Sequence, residues 1–122
     1  MILKFARQEV RPGLSTLVIT GNIHCGPECA RLEREVDELI ASRQTSVVFD
    51  MTGCTHMDSA AIGSIVRCVV KLKKAGGGLH LAAAQPMILY SLQLTKVDKL
   101  IGLFPTLQQA IAAFPAQSSA PS

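Results

Sequence analysis

One continuous apolar run near the middle of the chain, residues 46–51 with the sequence SVVFDM, restricts the fold more than any other feature. A strand with one face in solvent alternates apolar and polar residues, whereas a strand covered on both faces is apolar throughout. The run is also shorter than a buried helix and contains β-branched and aromatic residues. It therefore predicts a strand in the middle of a sheet, with both faces covered.

The segments before this strand have the residue patterns of two further strands and one helix. Residues 2–10 and 14–20 have strand character, and the turn residues 11–13 between them predict an antiparallel hairpin. Pro27 suits the first turn of the following helix, where no N–H donor is needed. Apolar residues repeat at helical spacing in this segment: Cys29, Leu32, Val36, Leu39 and Ile40.

The second half of the chain continues the alternation. A second helix follows residue 58, with a predicted apolar stripe of Ile62, Ile65, Val66, Val69 and Val70. A strand is predicted at 79–83, and Pro86 opens a short helix with apolar residues Met87, Leu89, Leu92 and Leu94. An edge strand at 101–104 and a final helix capped by Thr106 complete the order β-β-α-β-α-β-α-β-α. This order predicts an α/β fold with a mostly parallel central sheet and an N-terminal antiparallel strand, and it leaves open whether helices cover one face or both.

Length and composition fit one small soluble domain. The chain has 122 residues, of which 48% are hydrophobic, and we expect a domain at 1–114 and a small, polar, disordered tail at 115–122. The net charge is only +3 and aromatic residues make up 4%, so we expect no nucleic-acid partner. Arg67 and Lys71 interrupt the most apolar stretch, so we expect no membrane insertion. The first ten residues contain no long apolar run, which predicts a cytoplasmic protein with reduced thiols.

The loop at residues 52–59 is the main candidate for function. Loops that follow parallel strands gather at one edge of the sheet, where ligands bind by default. The loop ends in Asp58 and Ser59, and either residue can serve as the N-cap of the second helix. Phosphorylation of Ser59 would place close to two negative charges at a helix start, which tolerates them, and would repel an acidic partner. The loop therefore suggests either a simple helix cap or a phosphorylation switch.

Residues 47–63, VVFDMTGCTHMDSAAIG, resemble the signature of the STAS domain of bacterial anti-sigma factor antagonists. In that family a hydrophobic strand leads into a loop that ends in Asp-Ser-Ser/Thr-Gly-Leu-Gly. The similarity extends to residues 76–82, 94–100 and the closing helix at 106–114. The chain departs from the family pattern in three places: Ala60 and Ala61 replace the usual Ser/Thr-Gly, His24 replaces a common acidic residue, and Lys96 stands where glycine is common.

The resemblance implies a protein that exchanges partners. In the family, the serine after the motif aspartate is phosphorylated by a GHKL-type serine kinase that is also an anti-sigma factor, and a PP2C-type phosphatase removes the phosphate. Ser59 holds that position, and Asp58 matches the motif aspartate. We expect a partner surface formed by the residues Asp58, Ser59, His24, His56, Ile62 and Gly63. Ser59, His56 and Asp58 are too close in sequence to converge as nucleophile, base and orienting group, and no G-x-S-x-G motif is present, so we expect no catalytic residue and no cofactor.

Three other interpretations remain open. His24, Cys25, Cys54 and His56 lie on two loops of the same sheet edge and include the residue types of a tetrahedral zinc site, although their spacing is not that of a zinc motif. The alternative is that Cys29 and Cys68 are core residues, with Cys54 and the two histidines partly exposed. The chain can also be a STAS accessory subunit docked on a larger assembly, such as a lipid-transporter ATPase or a stress-signalling scaffold. A sensor of small ligands is a further possibility.

Overall fold

The computed structural model describes residues 3–24 and 26–115, so Cys25 and the expected tail from residue 116 onward lie outside the described residues. The described residues form five strands and four α-helices, and one short 3-10 helix precedes the last strand. Their bounds are β1 Lys4–Arg11, β2 Leu14–Thr20, α1 Pro27–Ala41, β3 Ser46–Gly53, α2 Ser59–Lys74, β4 Gly78–Ala82, α3 Pro86–Leu94, the 3-10 helix Val97–Lys99, β5 Gly102–Phe104 and α4 Leu107–Ala112.

The strands form one sheet in the order β1-β2-β3-β4-β5. β1 pairs antiparallel with β2, and every other pair is parallel. The predicted fold class and element order are therefore confirmed. β3 lies in the middle, as predicted, because its side chains enter two different cores: Phe49 is buried on one face of the sheet and Val48 on the other.

Helices cover both faces of the sheet. Buried residues of α1, α2 and α3, such as Leu32, Ile65 and Leu92, share one core with β2, β3 and β4. α4 covers the other face, where Ala110 packs with Leu14, Val48 and Ala82 in a smaller core. The sequence left this question open, since the apolar pattern of a helix does not tell which face of a sheet it covers.

Two predicted apolar stripes need correction. Val70 belongs to the predicted stripe of α2 but is 45% exposed, and Cys68 and Leu72 are buried instead. In α3 the buried residues are Ile88 and Leu92, whereas Met87 and Leu94 are exposed. Nearly every residue of α3 is apolar, so its sequence contains no polar face that would mark the solvent side.

Lys96 adopts a left-handed backbone conformation with a φ of 63° at the start of the 3-10 helix. This conformation costs residues other than glycine about 1 to 2 kcal/mol. We expect Lys96→Gly to raise the free energy of unfolding by up to about 1 kcal/mol, since the larger backbone entropy of unfolded glycine offsets part of the gain. Thermal unfolding would show a higher Tm. The control Lys99→Gly, within the 3-10 helix, is expected to lower the Tm, and a Lys96→Gly protein that melts no higher than the parent would contradict the prediction.

A cluster of charged and polar side chains joins α1 to α2. The Glu33 carboxylate on α1 accepts hydrogen bonds from the Ser64 hydroxyl at 2.8 Å and from the Arg67 Nε at 3.0 Å. One turn further along α2, the Lys71 ammonium lies 3.0 Å from an Asp37 carboxylate oxygen. The hydrogen bond from Arg67, the largest cause, holds the pKa of Glu33 below its ordinary value, and the Ser64 hydroxyl acts in the same direction.

Glu33 should make the stability of the fold depend on pH. Because its pKa is lower in the folded state than in the unfolded chain, its contribution is present above the unfolded pKa and is lost as the pH falls through the folded pKa. We expect the parent to lose more stability than Glu33→Gln between pH 7 and pH 3 in urea unfolding experiments. Glu9→Gln, which removes a carboxylate from exposed β1, serves as the control. Equal losses in the parent and Glu33→Gln would disprove the assignment.

Candidate partner-binding site

The loops that follow β2 and β3 are joined by backbone hydrogen bonds at the carboxyl edge of the sheet. The Ile23 N–H donates to the His56 carbonyl at 3.1 Å, and the Asp58 N–H donates to the Ile23 carbonyl at 3.2 Å. Ile23 and Met57 thereby form an isolated parallel bridge beyond the ends of the two strands. The sequence predicts that both loops share this edge, but the bridge itself was not predicted. It places His24 beside the start of α2.

Asp58 is the N-cap of α2, which decides between the two candidates. Its backbone is extended, and its Oδ1 atom accepts a hydrogen bond from the Ala61 N–H at 2.9 Å. Ser59 is consequently the first residue of the helix, and it is exposed. The helix start is capped by a neighbouring side chain, so the Ser59 hydroxyl has no capping function and lies on the open surface.

Two histidines lie close to this helix start. The His24 Nδ1 atom is 4.0 Å from the Asp58 Oδ2 atom, and the ring centres of His24 and His56 are 6.5 Å apart. The His24 side chain is 51% exposed, and His56 is exposed as well. The backbone N–H of His24 donates to a Glu28 carboxylate oxygen at 3.2 Å, which ties this loop to the first turn of α1. The structure therefore brings His24, His56, Asp58 and the Ser59 position together on one surface.

The other two predicted contact residues lie deeper in the molecule. Ile62 is only 7% exposed and packs in the larger core. Gly63 is half-buried on α2, and the nearest side chain that a Cβ atom there would meet is Arg67, at 3.8 Å. Ile62 therefore offers little surface to another protein. Its side chain packs the start of α2 against the larger core.

Three cysteines are buried, and one of them corrects the sequence expectation, while Cys25 of the zinc interpretation lies outside the described residues. Cys29 and Cys68 are buried as expected, but Cys54 is fully buried and not partly exposed. Its thiol donates to the His56 carbonyl at 3.6 Å, and burial raises its pKa, so the thiolate that zinc binds is disfavoured. Within residues 3–24 and 26–115, no group of three or more side chains could hold a metal ion.

A surface that the sequence did not reveal continues from His56 onto α3. A small pocket of about 60 Å³ lies between the loop after β3 and α3, with His56, Met57 and Met87 in its lining. Met87, Tyr90 and Leu94 of α3 are 69%, 60% and 67% exposed, unusually high for such large side chains. The charged and polar helix start thus borders an exposed apolar helix.

A second concave feature lies on the other side of α3. It is a groove of about 560 Å³ at the carboxyl ends of β4 and β5, lined by Ala83, Ala84, Leu89, Gln93, Leu103, Phe104 and Pro105. This volume is within the range of small-molecule sites, about 300 to 1,000 Å³. The groove is the place where the small-ligand interpretation would apply.

The helices within the described residues include none that is both long enough and apolar enough to span a bilayer.

Three solved structures show how widely the fold is shared. An anti-sigma factor antagonist from Mycobacterium paratuberculosis is 24% identical, with a TM-score of 0.78 over 92% of this chain and 93% of that chain. The Bacillus cell fate determinant SpoIIAA in its phosphorylated form is 14% identical, with a TM-score of 0.70 over 89% of this chain and 97% of that chain. The STAS domain of a SulP transporter from Vibrio cholerae is 15% identical, with a TM-score of 0.67 over 86% and 83%. At these identities the likeness shows the fold.

Comparison of the sequence itself gives the family. No curated protein sequence matches the chain. A sequence model of the STAS domain matches residues 6–110, which is most of the chain and includes the strand, loop and helix start described above. This protein therefore belongs to the STAS domain family.

Proposed function

We propose that this protein is an anti-sigma factor antagonist that exchanges partners. In this proposal it binds a GHKL-type anti-sigma factor and serine kinase while Ser59 is unphosphorylated, and phosphorylation of Ser59 releases it. A PP2C-type phosphatase then restores the binding form. The observation that carries the proposal is the position of Ser59: it is an exposed hydroxyl at the first residue of α2, directly after the capping Asp58.

The geometry allows phosphorylation without unfolding. The kinase can reach an exposed hydroxyl, and the hydrogen bond that caps the helix comes from Asp58, so it remains when Ser59 is modified. A phosphate adds about 1.5 to 2 negative charges, and the positive end of the helix dipole tolerates them. The fold would persist while the charge of the surface changes.

The surface around Ser59 also suits a protein partner. The helix start and the two histidines present polar groups, and the adjoining residues Met87 and Tyr90 of α3 present apolar area. A partner that contacts both would also reach the start of α2, where Ser59 lies. A new charge at the centre of a desolvated interface weakens binding far more than one at its rim.

Relatives with this fold support the proposal. The Mycobacterium paratuberculosis protein is an anti-sigma factor antagonist, and SpoIIAA has been solved in phosphorylated and unphosphorylated forms. We carry that role over to this chain on the matching Asp58 and Ser59 positions.

Intact-protein mass spectrometry tests the proposal. The parent, Ser59→Ala and Ser42→Ala are each incubated with ATP and a kinase-active extract of the host cells. Ser42 is an exposed serine at the end of α1 and serves as the control. We expect one phosphate on the parent and on Ser42→Ala, and none on Ser59→Ala. No phosphate on any of the three would count against the switch.

The second candidate function is an accessory STAS subunit that stays docked on a larger assembly. The exposed apolar residues of α3 favour it, since permanent contacts bury such surface, and the fold recurs as a domain of a SulP transporter. Co-purification with a transporter ATPase or a scaffold, unchanged in Ser59→Asp, would support this function over the switch.

A further inference from the structure

The two histidines beside α2 belong to different loops, and backbone hydrogen bonds hold those loops together. His24 follows Ile23 and His56 precedes Met57, the two residues of the isolated parallel bridge. The spacing of 6.5 Å between the ring centres therefore depends on the backbone as well as on the side-chain rotamers. Both rings are exposed and can turn toward a group at the surface.

We propose that His24 and His56 together bind the phosphate of phosphorylated Ser59 and neutralise part of its charge, an inference that rests on the proposed function. His24 already lies 4.0 Å from the carboxylate of Asp58, the residue directly before Ser59. A phosphate on Ser59 adds acceptor oxygens one residue further along. Charge-assisted N–H···O hydrogen bonds are about 2.7 to 2.9 Å long, so two rings whose centres are 6.5 Å apart can both donate to one phosphate that lies beside the pair.

Two carboxylates lie beside the histidines, and they compete with the phosphate for a protonated imidazole. Asp58, the N-cap of α2, faces His24 through Oδ2, while its Oδ1 accepts a hydrogen bond from the Ala61 N–H. Glu28, on α1, binds the backbone N–H of His24. Both carboxylates attract a protonated imidazole, whereas the two imidazoles repel each other when both are charged. The Cys54 thiol next to His56 is buried. A phosphate with close to two negative charges attracts a protonated imidazole more strongly than one carboxylate does.

The contact would make the phosphorylated surface sensitive to pH. Histidine side chains ordinarily change charge between about pH 5 and 8, and the second ionisation of phosphoserine lies near 6. A protonated imidazole neutralises part of the charge of a phosphate beside it, whereas a neutral imidazole offers only an uncharged N–H donor. The loss of partner binding on phosphorylation should therefore be smaller at pH 6 than at pH 8.

The test uses the full chain with phosphoserine incorporated genetically at position 59. A ³¹P NMR titration between pH 5 and pH 8 compares this protein with its His24→Gln/His56→Gln double variant. We expect the phosphate of the parent to titrate about half to one pH unit lower, the size of shift that a unit charge about 4 Å away produces in water. Each single variant should show part of the change.

Lys73→Gln is the matched control for net charge. Lys73 lies in the last turn of α2, which has 16 residues. At a rise of about 1.5 Å per residue it is separated from Ser59 by more than the Debye length at 0.15 M salt, so the phosphate midpoint should not move. Identical midpoints in the parent and the folded double variant would overturn the inference. Because phosphoserine is installed directly, this result does not depend on a kinase, and the mass spectrometry experiment alone decides the proposed function.

Discussion

Ser59→Asp is expected to weaken binding of the anti-sigma partner by about 30-fold to several thousand-fold, whereas Ser59→Ala should bind as tightly as the parent. The reason is that an unpaired charge at a desolvated interface costs about 2 to 5 kcal/mol, which corresponds to this loss of affinity. Isothermal titration calorimetry with the purified partner kinase measures the dissociation constants of the three proteins directly.

The control for this experiment is Ser42→Asp. Ser42 caps the end of α1 and is exposed, so the substitution adds the same charge outside the proposed surface. Its binding free energy should stay close to that of the parent, because a solvated charge outside the contact is screened by salt. A Ser59→Asp protein that binds like Ser42→Asp would rule out electrostatic release. Asp carries less charge than phosphoserine, so the protein with phosphoserine at position 59 should show the larger loss.

Gly77→Ala should be the more damaging of two glycine substitutions, with a loss of about 2 to 4 kcal/mol in the free energy of unfolding. A Cβ atom at Gly77 would lie 1.8 Å from the carbonyl oxygen of Thr45, which is backbone and cannot rotate away. The Thr45 carbonyl also accepts a hydrogen bond from the Gly78 N–H at 3.0 Å, and the Gly77 N–H donates to the Leu72 carbonyl. Any movement to relieve the clash therefore disturbs the start of both β3 and β4.

Gly63→Ala is the matched substitution with the opposite expected sign. Gly63 lies inside α2, and a Cβ atom there meets no side chain closer than Arg67 at 3.8 Å. Alanine is a better helix former than glycine by about 1 kcal/mol, so stability should rise by about 0.5 to 1 kcal/mol. Urea unfolding monitored by circular dichroism measures both changes. Equal free energies of unfolding for Gly77→Ala and Gly63→Ala would show that the backbone near Thr45 moves aside at little cost.

The local sequence predicted the features that depend on a single strand or helix. The unbroken apolar run of β3 predicts a strand covered on both faces, and β3 is the central strand. The Asp-Ser pair predicts a capped helix start, and Thr106 predicts the start of α4, where its hydroxyl accepts from the Gln109 N–H. These features depend on side-chain spacing and on hydrogen bonds between residues three apart, which the sequence shows directly.

The sequence predicted less about burial, because burial depends on how one element packs against another. The apolar residues of α3 fit several helix faces, and only packing against the core selects Ile88 and Leu92 as buried. Cys54 was expected in a partly exposed loop, but the continuation of β3 to Gly53 carries it under the surface. No local pattern encodes this depth, because it depends on how far two strands continue side by side.

The order of the elements, the central strand and the capped start of α2 could therefore be predicted, since each follows from periodicity and local hydrogen bonding. Packing between distant elements, in contrast, places helices on both faces of the sheet and leaves Met87, Tyr90 and Leu94 of α3 exposed. It also places the His24 Nδ1 atom 4.0 Å from the Oδ2 atom of Asp58, a residue 34 positions later in the sequence. That approach depends on the bridge between Ile23 and Met57, and pairing between distant backbone segments is decided when the sheet assembles.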